Sequence, residues 1–86
     1  MEILVRKATE EDIARMSAKP TWGCEVSVFD WYYDSEEHCY LTEGEVVVEY
    51  DGGSASFGAG DYVVLPEGMK CVWKVSKAVK KHYQFM

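Results

Sequence analysis

The thiol groups are the side chains of this sequence with the most evident chemical potential. The chain contains three cysteines, Cys24, Cys39 and Cys71. A thiolate can serve as a soft metal ligand or as a nucleophile. An odd number of cysteines without a C-x-x-C pair argues against both a disulfide framework and a zinc ribbon. We therefore expect three free thiols.

Glu37 is the acidic residue that the sequence pattern places most clearly in the interior. Successive side chains on a strand point to opposite faces, so alternation assigns each residue to one side. In residues 37–42 the inner face carries Glu37, Cys39 and Leu41, and the outer face carries His38, Tyr40 and Thr42.

The same alternation assigns faces near the end of the chain. In residues 70–76 the lysine-bearing face must be wet, so the opposite face points inward and carries Cys71, Trp73 and Val75. Farther on, Tyr83 and Phe85 are expected to be buried, with His82 on the polar side. Both histidines are therefore predicted to lie outside the interior, and Glu37 is predicted to be a single acid among aromatic rings and thiols.

Two catalytic interpretations follow, each with a simpler alternative. Cys71 would be a nucleophile only as a thiolate, yet the charge of Glu37 would raise its pKa and no imidazole is aimed at it. Glu37 would act as a general acid or base, because burial raises the pKa of a carboxyl group. The alternatives are a Cys71 that is simply buried and a Glu37 that the Tyr33 hydroxyl or the Trp73 N–H satisfies.

The elements that must position these side chains are almost all strands. Thr9 is typical of a helix N-cap, acidic residues follow it, and Pro20 lies beyond the end, so one short helix is expected. The rest is rich in β-branched and aromatic residues, with turn signals roughly every eight to twelve residues. The sequence predicts an all-β antiparallel barrel or sandwich in a single domain, residues 1–86, with a strand and helix lead-in over 1–21 and the barrel over 22–86.

Composition and charge argue against several classes of partner. Of the 86 residues, 48% are hydrophobic, in runs too short to cross a bilayer, so no membrane association is expected. The formal net charge of −6 repels phosphate backbones and argues against nucleic acid binding. The first residues lack the apolar core and cleavage site of a secretory signal, so a cytoplasmic location is expected. The five lysines of residues 70–81 are expected to balance acidic neighbours, and the cluster at residues 76–83 is expected to lie along a solvated strand edge.

Two spaced patterns fit a known motif pair. Gly60, Pro66 and Gly68 fit the second cupin motif, G-x5-P-x-G-x2-H-x3-N, with Cys71 at the histidine position and Val75 at the asparagine position.

Upstream, Glu37 and Gly44 fit the end of the first cupin motif, H-x-H-x3-E-x6-G, with Trp31 and Tyr33 at its two histidine positions. With both motifs present, the chain resembles the small single-domain cupins of the (S)-ureidoglycine aminohydrolase cupin-domain group, within the RmlC-like cupin superfamily. The resemblance implies a jelly-roll β-barrel of six to eight strands, open at one end, and a homodimer.

The resemblance also implies a metal centre whose ligands are mostly replaced here. In metal-dependent cupins the motif histidines and glutamate bind a divalent ion, which is manganese in the aminohydrolases. Of these ligands only Glu37 is present, because Trp31, Tyr33 and Cys71 stand at the other positions. One carboxylate does not hold Mn²⁺, so no cofactor is expected; a bound ion would be a divalent one that involves Glu37 and Cys71.

What remains is a predicted pocket with aromatic walls around one carboxylate. Its predicted lining consists of Trp31, Tyr33, Glu37, Cys39, Cys71 and Trp73. This composition is typical of a small-molecule site, and the leading hypothesis is a cupin that binds a small polar organic ligand in its barrel. Two alternatives stay open: an enzyme similar to ureidoglycine aminohydrolase, acting on small ureido, amino or keto acids, and a ligand-free dimeric interaction module.

Overall fold

Seven strands and one helix make up the fold. The computed structural model describes residues 1–86. In chain order the elements are β1 (Leu4–Lys7), α1 (Glu10–Met16), β2 (Thr21–Cys24), β3 (Ser27–Tyr32), β4 (Glu37–Tyr50), β5 (Gly53–Gly58), β6 (Asp61–Leu65) and β7 (Lys70–Phe85). The single helix is too short to cross a membrane.

The helix begins where its capping residue predicts. The Thr9 hydroxyl accepts a hydrogen bond from the Asp12 N–H, and the Asp12 carboxylate accepts one from the Thr9 N–H, which is a capping box. Asp12 also accepts hydrogen bonds from Arg6 on β1 and from Arg15 on the helix itself. These contacts satisfy a buried carboxylate and tie the helix to the first strand.

Two long strands, β4 and β7, organise the barrel. They pair antiparallel over nearly their whole length, from Glu37 opposite Phe85 to Tyr50 opposite Cys71. At one end they are flanked by β6 and β2, with β1 beyond β6, and at the other end by β5 and β3. The two ends form opposing layers, so the predicted all-β antiparallel barrel with one short helix is confirmed.

The lysines of β7 lie within the sheet and not along an edge, so the prediction of a solvated strand edge is wrong. β7 has neighbours on both sides, because β4 lies on one side and β2 and β3 lie on the other. The expected charge balance is present: Lys74, Lys77 and Lys80 contact glutamates of β4, namely Glu49, Glu45 and Glu43, at 2.9, 3.6 and 3.7 Å. These cross-strand pairs are exposed and contribute little stability individually.

A bulge at Gly44 lets β4 serve both layers. Before it, Glu37, Cys39 and Leu41 are buried; after it, Val46 and Val48 are buried, so the inward-facing positions change from odd to even numbers. The β4–β7 register shifts repeatedly between residues 41 and 46. An extra residue in one strand has this effect, since it bends the strand and exchanges its faces.

Gly44 is required at this bend for two separate reasons. Its φ angle is +101°, a left-handed conformation that side-chain-bearing residues adopt at a cost. In addition, a Cβ atom would lie 2.5 Å from the Ala78 carbonyl oxygen and 2.7 Å from the Val79 Cα. Both contacts are with the backbone of β7, which cannot move away without loss of strand pairing.

We predict that Gly44→Ala destabilises the protein far more than Gly52→Ala, as measured by urea denaturation. Gly52 has the same φ of +101°, but a Cβ there meets no atom within 4 Å. Gly52→Ala should therefore cost only the backbone strain, about 1–2 kcal/mol. Gly44→Ala should cost about 1–3 kcal/mol more because of the steric overlap. Equal losses in the two variants would show that the close approach to β7 is unimportant.

Candidate ligand-binding site

An aromatic cavity of about 190 Å³ lies between β4, β7 and the strands β2 and β3. Seven of its nine lining residues are hydrophobic, and the other two are an acid and a base. The nine are Trp22, Phe29, Trp31, Tyr33, Glu37, Trp73, Lys81, Tyr83 and Phe85. Such a wall, apolar with a few polar groups, is the usual composition of a small-molecule site.

The polar part of the cavity is a buried ion pair between Glu37 and Lys81. The Lys81 Nζ donates to the Glu37 Oε2 at 2.6 Å, and the two side chains are only 6% and 3% exposed. Lys81 pairs in register with Leu41, two inward positions away from Glu37 on β4. The two long side chains therefore extend toward each other along the inner face of the β4–β7 pair.

Two indole rings complete the surroundings of the ammonium group. The Lys81 Nζ lies 4.6 Å from the ring centroid of Trp73 and 4.9 Å from that of Trp22. Trp22, Phe29 and Trp73 also contact one another, with centroids 6.0 to 6.1 Å apart. A cation out of water needs a counter-ion or other favourable partners, and here a carboxylate and two aromatic faces supply them.

The ion pair corrects the predicted interior, which held one acid and no base. Of the two partners expected for Glu37, the Trp73 Nε1 is buried without a hydrogen-bond acceptor, whereas the Tyr33 hydroxyl interacts with Glu37. The short hydrogen bond to the Glu37 Oε2 comes from Lys81. The alternation that pointed Tyr83 and Phe85 inward also points Lys81 inward. Lys81 was not assigned to the interior from the sequence, because a lysine is usually exposed to solvent.

Tyr33 lies in the segment between β3 and β4 and is held in place by the turn between β6 and β7. Its backbone N–H donates to the Met69 carbonyl at 2.9 Å, and its carbonyl accepts from the Gly68 N–H at 2.6 Å. Burial, and then the nearby charge of Glu37, raise the pKa of the Tyr33 hydroxyl well above its ordinary value. The group therefore stays protonated and remains a hydrogen-bond donor toward the cavity.

The predicted lining residues divide into two groups. Trp31, Tyr33, Glu37 and Trp73 line the cavity, whereas Cys39 and Cys71 do not. Cys39 is fully enclosed in the core, and Cys71 borders a separate shallow groove with Tyr50 and Lys70.

Residues at the mouth of the cavity are more exposed than the alternation predicted. Phe85 was expected to be buried but is 46% exposed at the end of β7, and Tyr83 is half-buried. Trp31 is 49% exposed and makes an edge contact with Tyr33, with centroids 6.4 Å apart. Together these rings leave one end of the cavity accessible from solvent.

The surroundings of Cys71 do not favour a nucleophilic role. Burial raises the pKa of its thiol to about 11, and burial raises that of Cys39 to about 12. The Cys71 Sγ donates to the Trp31 carbonyl at 3.6 Å, and no imidazole is nearby to accept its proton. The thiol form therefore predominates in both residues near neutral pH.

Both histidines lie outside the cavity, as alternation predicted. His38 contacts the Tyr62 hydroxyl through Nδ1 at 2.6 Å and the Glu36 carboxylate through Nε2 at 2.7 Å. The Nδ1 of His82 lies 2.9 Å from the Lys19 carbonyl oxygen, and its ring stacks on Tyr40.

The side chains present do not fit a divalent metal at the motif positions. No group of three or more histidine, cysteine, aspartate or glutamate side chains is placed to hold an ion. The one motif carboxylate, Glu37, already bears a lysine ammonium on Oε2. Indole is not a ligand, and the protonated Tyr33 phenol is a poor one.

We predict that single substitutions in the ion pair are costly and the double substitution is not. Lys81→Met or Glu37→Leu alone leaves an uncompensated buried charge and should cost about 3–5 kcal/mol. The double variant should lie within about 1 kcal/mol of the original chain in urea denaturation. Lys74→Met removes the exposed pair with Glu49 and, as a control, should cost less than about 1 kcal/mol. Additive losses in the double variant would contradict this account of the pair.

Alkylation should distinguish the three thiols in the folded protein. Because burial raises the pKa of the Cys71 thiol to about 11, very little of it is thiolate at pH 7.5. We expect iodoacetamide to modify the partly exposed Cys24 first and to leave Cys39 and Cys71 intact until denaturant is added. Mass spectrometry of the digested protein reads the sites. Rapid modification of Cys71 at neutral pH would restore the nucleophile hypothesis.

Comparison with known proteins agrees with this architecture. The chain is 41% identical to a DUF861 family protein from Thermotoga maritima, with a TM-score of 0.93 over 99% of this chain and 100% of that one. It also resembles the EutQ protein of Clostridium difficile, at 21% identity and a TM-score of 0.70, over 96% of this chain and 66% of that one. A protein of unknown function from Rhizobium leguminosarum matches at 16% identity and a TM-score of 0.64, over 93% and 94% of the two chains.

The last two likenesses show the fold alone. No curated protein gives a significant match. The sequence model for the EutQ-like cupin domain matches residues 12–83. The predicted membership of the cupin superfamily is thereby confirmed, and kinship with the ureidoglycine aminohydrolase group stays a prediction. The chain belongs to the family of EutQ-like cupin domains.

Proposed function

We propose that this cupin binds a small polar organic molecule in the aromatic cavity, beside the Glu37–Lys81 pair. The observation that carries the proposal is the position of this pair in the cavity wall. A buried ion pair adds little net stability compared with apolar residues of similar volume, so folding alone does not account for it. A charged donor and a charged acceptor beside a cavity do account for it if a polar ligand enters.

The size of the cavity limits the ligand. The cavity volume is about 190 Å³. Pockets for drug-sized ligands usually occupy about 300–1,000 Å³. The ligand is therefore a molecule with few heavy atoms, and the aromatic walls favour a flat one.

Each polar group has a distinct role in recognition. The Tyr33 hydroxyl donates a hydrogen bond, because its pKa stays far above neutral pH. Lys81 has ammonium protons beyond the one it shares with Glu37, and these suit a carbonyl or carboxylate oxygen. Glu37 accepts from a ligand N–H or O–H. Trp73 contributes a ring face, and Trp31 covers the ligand at the mouth.

An enzyme similar to the ureidoglycine aminohydrolase group would use the same cavity. In that case Glu37 would be the acid–base residue for a small ureido, amino or keto acid. The ion pair with Lys81 favours this alternative in one respect, since it provides a partner that can exchange a proton with Glu37.

A dimeric interaction module is the remaining alternative, and it concerns a different surface. Val28 and Tyr32 on β3 are largely exposed, and β3 pairs with β7 on one side only. An apolar strand with a free edge favours association. The homodimer that the family resemblance implies stays a prediction and is compatible with a ligand site inside the barrel.

We expect a small carboxylate, amide or ureide to raise the melting temperature of the protein in a thermal-shift panel. At about one hundred times its Kd, a ligand stabilises the folded state by about 2.7 kcal/mol. Tyr33→Phe and Glu37→Gln should abolish the shift, while Tyr40→Phe, on the outer face, should preserve it. A panel without any shift, or a shift that survives both cavity variants, would refute binding at this site.

A further inference from the structure

Lys81 differs from every other lysine of the chain in its surroundings. It is the one buried lysine, whereas the side chains of its neighbours on β7, Lys74, Lys77 and Lys80, are 46% to 70% exposed. Its ammonium group lies in the wall of an aromatic cavity and not in a closed core. A lysine that is desolvated beside a cavity is a candidate nucleophile toward carbonyl groups.

A proton acceptor lies within hydrogen-bond distance of this amine. The Glu37 Oε2 is 2.6 Å from the Lys81 Nζ, which is the distance at which a general base takes a proton from a nucleophile. The pair is out of water, so the proton can pass between two partners that no solvent molecule separates.

We propose that Lys81 forms a reversible imine with a small aldehyde or ketone in the cavity. This inference rests on the proposed ligand site and names the class of ligand it takes. The Lys81 Nζ gives a proton to the Glu37 Oε2, and its freed electron pair attacks the carbonyl carbon. The carbonyl oxygen takes up a proton from the attacking nitrogen to form a carbinolamine. Glu37 then returns its proton to that hydroxyl group, which leaves as water, and the nitrogen electron pair forms a protonated C=N bond. The ammonium and the carbonyl compound thus become an iminium and one water molecule, with no oxidant or reductant.

The surroundings of Lys81 stabilise the iminium product as well as the ammonium from which it forms. The iminium carries the same single positive charge as the ammonium, so Glu37 remains its counter-ion. The faces of Trp22 and Trp73 that contact the ammonium stabilise the new cation in the same way. A cavity of about 190 Å³ suits a small carbonyl compound.

Reductive trapping tests the proposal. The protein is incubated with pyruvate or acetone and sodium cyanoborohydride, which converts an imine to a stable secondary amine, and the modified lysine is identified by peptide mass spectrometry. We expect modification at Lys81 at least tenfold faster than at Lys80, an internal control that needs no variant. Lys81→Arg retains a cation beside Glu37 and should abolish the adduct, and Glu37→Gln should slow its formation at least tenfold. Equal modification of all lysines, or an adduct that persists in Lys81→Arg, would overturn the proposal.

The failure of this inference is distinguishable from failure of the ligand site. Propionate resembles pyruvate but has no ketone, so it can bind without forming an imine. A propionate thermal shift that depends on Tyr33, together with no adduct from pyruvate, would refute the imine and leave the ligand site intact. If neither compound shifts the melting temperature and neither carbonyl probe is trapped at Lys81, both proposals fall.

Discussion

The pairing of β4 with β7 is the constraint on which the rest of the molecule depends. These two strands belong to both layers of the barrel, and every other strand except β1 pairs with one of them. Their shared bend requires a residue without a side chain where β4 passes closest to β7, and Gly44 meets that requirement. Because the inward positions of β4 change at this bend, Glu37 lies inside on one arm while Val46 and Val48 lie inside on the other.

The ion pair of the cavity is a consequence of this geometry. Glu37 and Lys81 lie on adjacent strands, on the same inward face and at the same end of the barrel, so each is the nearest charged partner available to the other. Taking both charges out of water costs several kcal/mol per ion, and their mutual attraction, with the two indole faces, offsets that cost without a large surplus. The pair therefore contributes little to the net free energy of folding, which is the premise of the proposed ligand site.

Much of the fold was predictable from local pattern. The cap at Thr9, the alternation in residues 37–42 and the glycines of the turns are short-range signals, and each acts as the physics of helices, strands and turns requires. Alternation also located both histidines. The position of β7 in the middle of the sheet was not predictable in this way. It depends on which strands pair with β7 although they are distant in the sequence, and a lysine-rich strand is typical of a sheet edge.

Lys81 shows how residue type and residue position can conflict. Alternation along β7 places the Lys81 side chain in the interior, whereas its charge favours exposure to solvent. The interior position is possible because Glu37, on the neighbouring strand β4, pairs with the ammonium group. That outcome also changes the chemistry that Glu37 can support. A carboxylate that the family resemblance implies to be a metal ligand instead accepts a hydrogen bond from an ammonium group. Trp31, Tyr33 and Cys71 stand at the other motif positions, and no group of three or more ligating side chains is formed there. The positive charge of the site is therefore part of the chain, and it resides on a nitrogen atom that, once deprotonated, is a nucleophile.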